Sequence, residues 1–278
     1  VDDLNALLLA DKIGFPLMIK PAGGGGGIGM RVVHSAKELL INVDRARALV
    51  QASFGSPKLY FERFVKEASH VEIQVVADKY GNAIHLHERD CSVQRRHQKL
   101  IEEGPSVALT PRMRKKMGTV VVAAARAVGY QSAGTFEFLL DGDGRFYFLE
   151  ANARIQVEHP VTEMVTGIDI VKEQIAIAAG AKLAISQREI DWSGHAIECR
   201  INAESPDTFH PSSGLIRVFN MPGGPGIRVD TAAHAGCTVT PFYDSLIAQD
   251  MYLAGTILLV ISIILVLGNL MADIVMEQ

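Results

Sequence analysis

The chain has 278 residues, of which 27 are Lys or Arg and 31 are Asp or Glu, so its formal net charge is −4. This slight acidity argues against a protein that binds nucleic acid. The three cysteines lie far apart and form no Cys-x-x-Cys pair, so neither a disulfide framework nor a zinc site is indicated. The length allows one large domain or two smaller ones, and a reducing compartment fits best.

A run of glycines begins at Gly23, after a predicted first helix, and lies between two strand-like segments, 15–19 and 30–33. A P-loop is excluded because Lys20 precedes the glycines, and a dinucleotide-binding loop requires a helix directly after them. We therefore predict a hairpin tip whose backbone N–H groups approach phosphate oxygens, with Lys20 adding a point charge. The alternative is a disordered linker.

The later elements follow in order. Helical spacing is present at 35–53, 110–129 and 162–180, whereas strands are indicated at 58–65, 70–75, 82–88, within the hairpin 134–152, and in broken form after 194. The period-two alternation of 70–75 predicts a strand that is buried on one face only. A cluster of basic residues at 89–99 is, taken alone, as often a solvated turn as a site. His85 and His87 share a strand face but lack a third metal ligand.

The hairpin permits a prediction of register. Centring a two-residue type I′ turn on Asp143 and Gly144 pairs Glu137 with Glu150. Two carboxylates directly opposite repel, and a divalent cation such as Mg²⁺ or Mn²⁺ between them removes that penalty. The alternative is a solvated strand face that happens to carry two glutamates.

Polar residues occupy every second position from residue 150 to residue 158. In an extended chain they project to one side, as expected of a site that handles anions and a metal: Glu150, Asn152, Arg154, Gln156 and Glu158. Arg154 could bind a planar oxyanion bidentately, and Glu158 could act as a base.

Six segments in this order resemble the biotin carboxylase family of ATP-grasp ligases: KPAGGGGGIGM, HVEIQV, ERDCSVQRRHQK, GTFEFL, NARIQVEHPVTE and GHAIECRINAE. The resemblance covers residues 13–247. It implies an α+β, ATP-grasp fold, with a glycine-hairpin lid, an antiparallel-sheet core, the start of a C-terminal β-rich domain and a terminal hydrophobic helix. The expected boundaries are 1–64 for the lid subdomain, 65–190 for the core, 191–249 for the C-terminal start and 250–278 for the tail.

The resemblance also implies roles for individual residues. Those expected to bind the nucleotide are Lys20, Gly25, Gly26, Gly27, Glu62, Val65, His70, Gln94 and His97. Those expected to hold Mg²⁺ or Mn²⁺ are Glu137, Glu150 and Asn152. Those expected to bind bicarbonate are Lys99, Arg154, Gln156 and Val157, with Glu158 as its base and Arg200 stabilising the biotin enolate.

The family resemblance further implies a reaction and partners. ATP and bicarbonate would give carboxyphosphate, which breaks down to CO₂ and phosphate, and biotin on a carrier protein or domain would capture the CO₂. A carboxyltransferase, a homodimer and a cytoplasmic location are expected by family. Two alternatives stay open: another ATP-grasp carboxylate ligase, and an inert, membrane-tethered protein built on this fold.

Three departures from the family pattern qualify these expectations. Ile28 stands where a basic residue is frequent, and we expect the family's N-terminal domain and C-terminal continuation to be absent. Residues 251–272 form an uncharged run of 22 residues, which resembles the last membrane span of peptide-transporter permeases and is long enough to cross a bilayer. A buried core helix is the alternative. We therefore expect a join near Gln249, possible membrane contact through 251–272, and an incomplete, weakly active enzyme.

Overall fold

The computed structural model of the chain describes residues 3–23, 29–242, 244–254 and 274–277. The chain divides into two compact units. The first unit comprises Val1–Ala68 and Arg95–Gln98, and the second comprises Ser69–Gln94 and Lys99–Gln278.

The first unit packs two helices on a three-stranded antiparallel sheet with strand order β2-β1-β3. Its elements are α1 (Asp3–Ile13), β1 (Leu17–Pro21), β2 (Arg31–Val33), α2 (Ala36–Phe54) and β3 (Leu59–Arg63). Helix α2 begins where the Ser35 side chain accepts a hydrogen bond from the Glu38 N–H, and it ends at Gly55 in the left-handed conformation. The antiparallel pairing of β1 with β2 confirms that the glycine run joins two strands.

The second unit is built around an eight-stranded sheet with the order β11-β13-β9-β6-β5-β4-β7-β8. Its strands are β4 (Ser69–Ala77), β5 (Ala83–Arg95), β6 (Gln98–Gly104), β7 (Ser132–Leu140), β8 (Phe146–Asn152), β9 (His195–Asn202), β10 (Gly214–Phe219), β11 (Ile227–Thr231), β12 (Thr238–Val239), β13 (Leu246–Ala254) and β14 (Ile274–Glu277). Strands β12, β10 and β14 form a second, smaller sheet. The helices are α3 (Pro111–Ala127), α4 (His159–Thr166) and α5 (Ile170–Ala178). The predicted α+β class with an antiparallel core is confirmed.

Strand β4 departs from its predicted half-burial, because every residue from Val71 to Ala77 is buried. Val71 and Ile73 belong to the apolar cluster that contains residues of α3. On the opposite face, Glu72 and Gln74 are fully buried and hydrogen-bonded. The predicted alternation is present, but the polar face is covered as well, because it is part of a charged interior.

The β7–β8 hairpin pairs Glu137 with Glu150, as predicted, although the predicted turn is wrong. The loop contains three residues, 142–144, with Gly144 at φ 77° instead of a two-residue type I′ turn. A bulge beside Glu137 then places one extra residue, Leu149, in β8. The extra loop residue and the bulge compensate, and the predicted pair results.

Two segments differ from their predicted secondary structure, one predicted as a strand and one as a helix. Strand β8 stops at Asn152, so residues 153–158 form a loop and do not continue an extended strand. Residues 251–254, predicted as the start of a hydrophobic helix, instead form the end of β13, which pairs with β9. The rest of that predicted helix, 255–272, lies outside the described residues. None of the helices within the described ranges combines the length and apolarity needed to cross a membrane.

Candidate functional site

An arginine with no solvent exposure lies at the centre of the second unit. Arg89, on β5, donates its Nε–H to Glu72 Oε1 at 2.7 Å and its Nη1 to both Gln74 Oε1 and Thr162 Oγ1 at 2.8 Å. Its Nη2 donates to Thr135 Oγ1 and Gln156 Oε1, each at 3.3 Å. These five bonds match the five N–H donors of a guanidinium, so the buried charge is fully satisfied. Arg89 therefore connects three strands to the start of α4 and to the loop that precedes it.

Lys99, on β6, lies among three carboxylates. Its Nζ is 2.6 Å from Glu72 Oε2, 3.1 Å from Glu137 Oε1 and 2.5 Å from Glu158 Oε1. Burial opposes the charge of Lys99, but Glu72 and its other anionic neighbours outweigh burial and raise its pKa. The lysine is therefore a permanently charged counter-ion in this interior.

The carboxylates Glu72 and Glu137 are directly opposite one another on β4 and β7. Burial alone would raise the pKa of Glu72, but the charges of Arg89 and Lys99 lower it to about 2. Burial is likewise overcome at Glu137, where contact with His70 and the charge of Lys99 lower the pKa to about 2. Both groups are anions at neutral pH.

Glu137 also joins several of the residues predicted to bind nucleotide or metal. Its Oε1 accepts hydrogen bonds from Asn152 Nδ2 and Gln156 Nε2, both at 2.8 Å, and its Oε2 is 2.7 Å from His70 Nε2. Gln94 Nε2 is 2.7 Å from His70 Nδ1, which fixes the imidazole from its other side. These residues form one connected network.

Glu150, a second of the three predicted metal ligands, is exposed at the edge of the sheet. The Asn152 amide spans the two carboxylates, since its Nδ2 also donates to Glu150 Oε1 at 3.3 Å. Within the described residues, two groups of three have ligand atoms close enough to share an ion: His70, Glu72 and Glu137, and Glu72, Cys91 and Glu158. Neither group includes Glu150, so its role as a ligand stays a prediction.

Two residues of the loop after β8 that were predicted to bind substrate lie in the buried network. Gln156 is fixed between Arg89 and Glu137, and Glu158 is buried immediately before α4. Arg154 is exposed and donates to the Ile155 carbonyl at 3.0 Å and to Asn152 Oδ1 at 3.4 Å. Val157 is half-buried. The five residues of the polar series are therefore not on one strand face: the loop buries two of them and exposes Arg154.

Arg200, on β9, completes this side of the network. Its Nε donates to Glu102 Oε1 at 2.7 Å, and its Nη2 donates to Glu158 Oε2 at 3.0 Å. Glu158 thus contacts two cations, Lys99 through one oxygen and Arg200 through the other. An incoming anion could therefore replace the Glu158 carboxylate at one of these two cations.

The remaining predicted residues belong to the first unit. Lys20, on β1, donates to Glu62 Oε2 on β3 at 3.0 Å, and Glu62 raises the lysine pKa despite its burial. Val65 follows β3, and His97 is exposed in the turn between β5 and β6. Arg96 and His97 both have positive φ, as a type I′ turn requires. Gly25, Gly26 and Gly27, with Ile28, lie outside the described residues.

Three charged members of the network were not predicted from the sequence: Glu72, Arg89 and Glu102. The signal for Glu72 was present, because His70, Glu72 and Gln74 alternate along β4 as the predicted polar series does. Arg89 belonged to the basic cluster 89–99, for which a solvated turn was one alternative. That alternative is wrong for Arg89, because its side chain is fully buried. No sequence pattern distinguished Glu102 from its neighbour Glu103.

Comparison with known families covers almost the whole chain. Residues 2–186 match the family described as carbamoyl-phosphate synthase L chain, ATP binding domain, and residues 198–260 match the biotin carboxylase C-terminal domain. The second match continues past the predicted join near Gln249 and gives no support to a boundary at that position.

Individual relatives agree with these families. The biotin carboxylase of Allochromatium vinosum is 56% identical over 245 residues, which are 88% of this chain and 54% of the relative. The small subunit of Hydrogenobacter thermophilus 2-oxoglutarate carboxylase is 52% identical over 246 residues, 88% of this chain and 52% of the relative. This chain therefore spans about half the length of these curated relatives.

Solved structures show the same similarity. The biotin carboxylase–β-γ-ATP complex of Campylobacter jejuni has a TM-score of 0.92 and 41% identity, covering 100% of this chain and 61% of that chain. The biotin carboxylase domain dimer of Hydrogenobacter thermophilus 2-oxoglutarate carboxylase, with MgADP, ADP and bicarbonate, has a TM-score of 0.89 and 51% identity. That similarity covers 91% of this chain and 56% of that one.

Proposed function

This chain belongs to the biotin carboxylase family, and we propose that it takes part in the ATP-dependent carboxylation of biotin by bicarbonate through carboxyphosphate. The observation that carries the proposal is Lys99 among Glu72, Glu137 and Glu158, with Arg200 on the far oxygen of Glu158. The related 2-oxoglutarate carboxylase domain, described with MgADP and bicarbonate, supports both substrates. Another carboxylate ligase of the same fold is not favoured, since the C-terminal match is to biotin carboxylases.

The donor set at the hairpin fits a magnesium ion. Glu137 and Glu150 are opposite each other, and both are hard oxygen ligands. A half-turn of the Asn152 amide, which now spans them, would replace its NH₂ group with its oxygen. When bound there, Mg²⁺ would offset the negative charge of the ATP phosphates.

The chain's own residues would then perform the polar steps. Lys99, Arg154, Gln156 and Val157 would bind bicarbonate, and Glu158 would accept its proton as it attacks the γ-phosphate. Carboxyphosphate would break down to CO₂ and phosphate, and the phosphate would take the biotin N1′ proton. Arg200 would stabilise the enolate that captures CO₂. In the first unit, Lys20 and the glycine hairpin would bind phosphates, Glu62 and Val65 would bind adenine, and His97 would also contact the nucleotide. In the second unit, His70 and Gln94 are proposed as nucleotide ligands.

The partners of the reaction are proposed on family grounds. A biotin carrier protein or domain would supply biotin, and a carboxyltransferase would consume the carboxylated product. Formation of a homodimer is supported by the dimer described for the 2-oxoglutarate carboxylase domain.

The test is bicarbonate-dependent release of ADP, with and without biotin. Glu158→Gln should retain ATP binding, measured by calorimetry, and lose bicarbonate-dependent ATP cleavage by about 10²–10⁴-fold, the usual contribution of a positioned base. Glu103→Gln is the matched control, because Glu103 is a glutamate on β6 that contacts His195 instead of the network. Unchanged ADP release in the Glu158 variant would remove that residue from the mechanism, and bicarbonate-independent release by the unaltered chain would refute the proposed function.

A further inference from the structure

Two carboxyl side chains that the proposed reaction does not use face each other deep in the sheet. Glu102 on β6 and Glu198 on β9 are register partners, and neither has any solvent exposure. Among the residues that the structure describes, Glu102 Oε2 and both oxygens of Glu198 make no hydrogen bond. Buried carboxyl oxygens are normally satisfied, so this pair requires an explanation.

Arg200 distinguishes the two carboxyls. It follows Glu198 by two positions on β9, but its Nε and Nη2 lie 2.7 and 2.6 Å from Glu102 Oε1. The same Nη2 reaches Glu158 Oε2 at 3.0 Å. Within the described part of the chain, its remaining group, Nη1, donates to no protein acceptor. One edge of the guanidinium is therefore held, and its other end is free for a ligand.

The surroundings determine which carboxyl carries the charge. Glu102 faces Arg200 and Glu198 on β9, Glu158 before α4 and Glu72 on β4. Burial raises the pKa of Glu102 to about 7, and burial together with the charge of Glu102 raises the pKa of Glu198 well above its ordinary value. Two adjacent carboxyls in such a site do not both ionise. Glu102, which contacts the cation, is the ionised member, and Glu198 is the neutral one.

We propose that Glu102 is the positioning residue that fixes Arg200, leaving the Arg200 Nη1 group free to meet the ureido oxygen of biotin. This inference rests on the proposed function, which assigns the biotin enolate to Arg200. Without the Glu102 charge, Nε and Nη2 would lose the acceptor that holds this edge of the guanidinium, and the orientation of Nη1 would be lost. Glu102 itself touches no substrate.

The structure supplies a matched pair of variants for the test. Glu102→Gln removes the charge that holds Arg200, whereas Glu198→Gln replaces one neutral donor with another at the opposite position of the same strand pair. Glu102→Gln should raise KM for free biotin and lower biotin-dependent turnover by about tenfold or more, the effect of losing a charged hydrogen bond. Its bicarbonate-dependent ATP cleavage without biotin should change by less than about twofold, and Glu198→Gln should leave both activities within that range.

The pH profile provides a second readout. In the unaltered protein, biotin-dependent turnover should fall as the pH drops below about 7, because Glu102 takes up a proton and loses its charge. Glu102→Gln should lack this acidic limb. A loss of both activities to the same extent, or an equal loss in Glu198→Gln, would show a merely structural role and overturn the inference.

A measurement that does not depend on turnover separates this inference from the proposed function. The Arg200 Nε–H resonance, assigned with Arg200→Lys, should be shifted by its carboxylate partner and protected from exchange with water. Glu198→Gln should retain that signal, and Glu102→Gln should lose it. If the unaltered chain shows no bicarbonate-dependent ATP cleavage, the proposed function fails while the resonance still tests the contact. A resonance unchanged in Glu102→Gln overturns the inference.

Discussion

Two pairs of directly opposed glutamates in the eight-stranded sheet differ in charge state. On β7 and β8, Glu137 opposes Glu150, and Glu137 receives donors from Asn152 and Gln156 as well as the charge of Lys99. On β6 and β9, Glu102 opposes Glu198, and Arg200 contacts only the first of them.

The difference appears in the pKa values. The pKa of Glu137 is lowered to about 2, whereas that of Glu102 is raised to about 7. Both groups are largely buried, so burial alone does not decide the outcome. The number of donors and cations around each carboxyl decides whether opposed glutamates form a charged site or a proton-holding pair.

The largest expected effect comes from removing Lys99, the cation beside the Glu137–Glu150 pair. Lys99→Met leaves Glu72 with Arg89 alone and deprives Glu137 of its cation, so we expect a loss of about 3–5 kcal/mol in the free energy of unfolding. Urea denaturation measures it. Lys115→Met on the exposed face of α3 is the control and should change stability by less than about 0.5 kcal/mol. Equal midpoints for the two variants would contradict a buried counter-ion role for Lys99.

A smaller effect should follow from neutralising Glu150, the exposed member of the Glu137–Glu150 pair. Glu150→Gln should weaken Mg-ATP binding by about tenfold through loss of one charged ligand, while the fold stays intact because one repulsive charge is also removed. Asp143→Asn, in the loop of the same hairpin, is the control. Calorimetric titration that gives the same Mg-ATP affinity for both variants would refute the assignment of Glu150 to the metal.

A graded effect, a pH dependence of the free energy of unfolding, should also separate the two pairs. The pKa of Glu198 is raised in the folded state, so above its unfolded value of about 4.3 folding takes up a proton and stability falls as the pH rises. Glu198→Gln removes this slope. Its free energy of unfolding relative to the unaltered chain should therefore increase by up to about 1.4 kcal/mol per pH unit between roughly pH 5 and 7.

Glu137→Gln should behave in the opposite way. The pKa of Glu137 is lowered, so its contribution is complete above about pH 4.3 and is lost as the pH falls towards 2. The difference between Glu137→Gln and the unaltered chain should thus be flat from roughly pH 5 to 7. Urea titrations at several pH values measure both differences. Parallel curves for the two variants would show that the two pairs do not differ in charge state.

Much of the fold could be predicted because its signals are local. The strand–glycine–strand order, the helix predicted from residue 35 and the apolar alternation of β4 each depend on neighbouring residues. The Glu137–Glu150 pair was found by counting from a turn, and it held only because the bulge at Leu149 compensated for the longer loop. The prediction of one polar face from Glu150 to Glu158 failed because the chain leaves the strand after Asn152.

The amino-acid sequence by itself determined the order of elements, the antiparallel class and most of the residues proposed to bind substrate, since these follow from periodicity, turn chemistry and family motifs. Only the tertiary structure decided the charge states. Arg89, Glu72 and Glu102 look like ordinary strand residues until five strands, β9, β6, β5, β4 and β7, bring their groups together. The pKa of a carboxyl depends on cations, donors and burial contributed by distant parts of the chain, and no local pattern contains them.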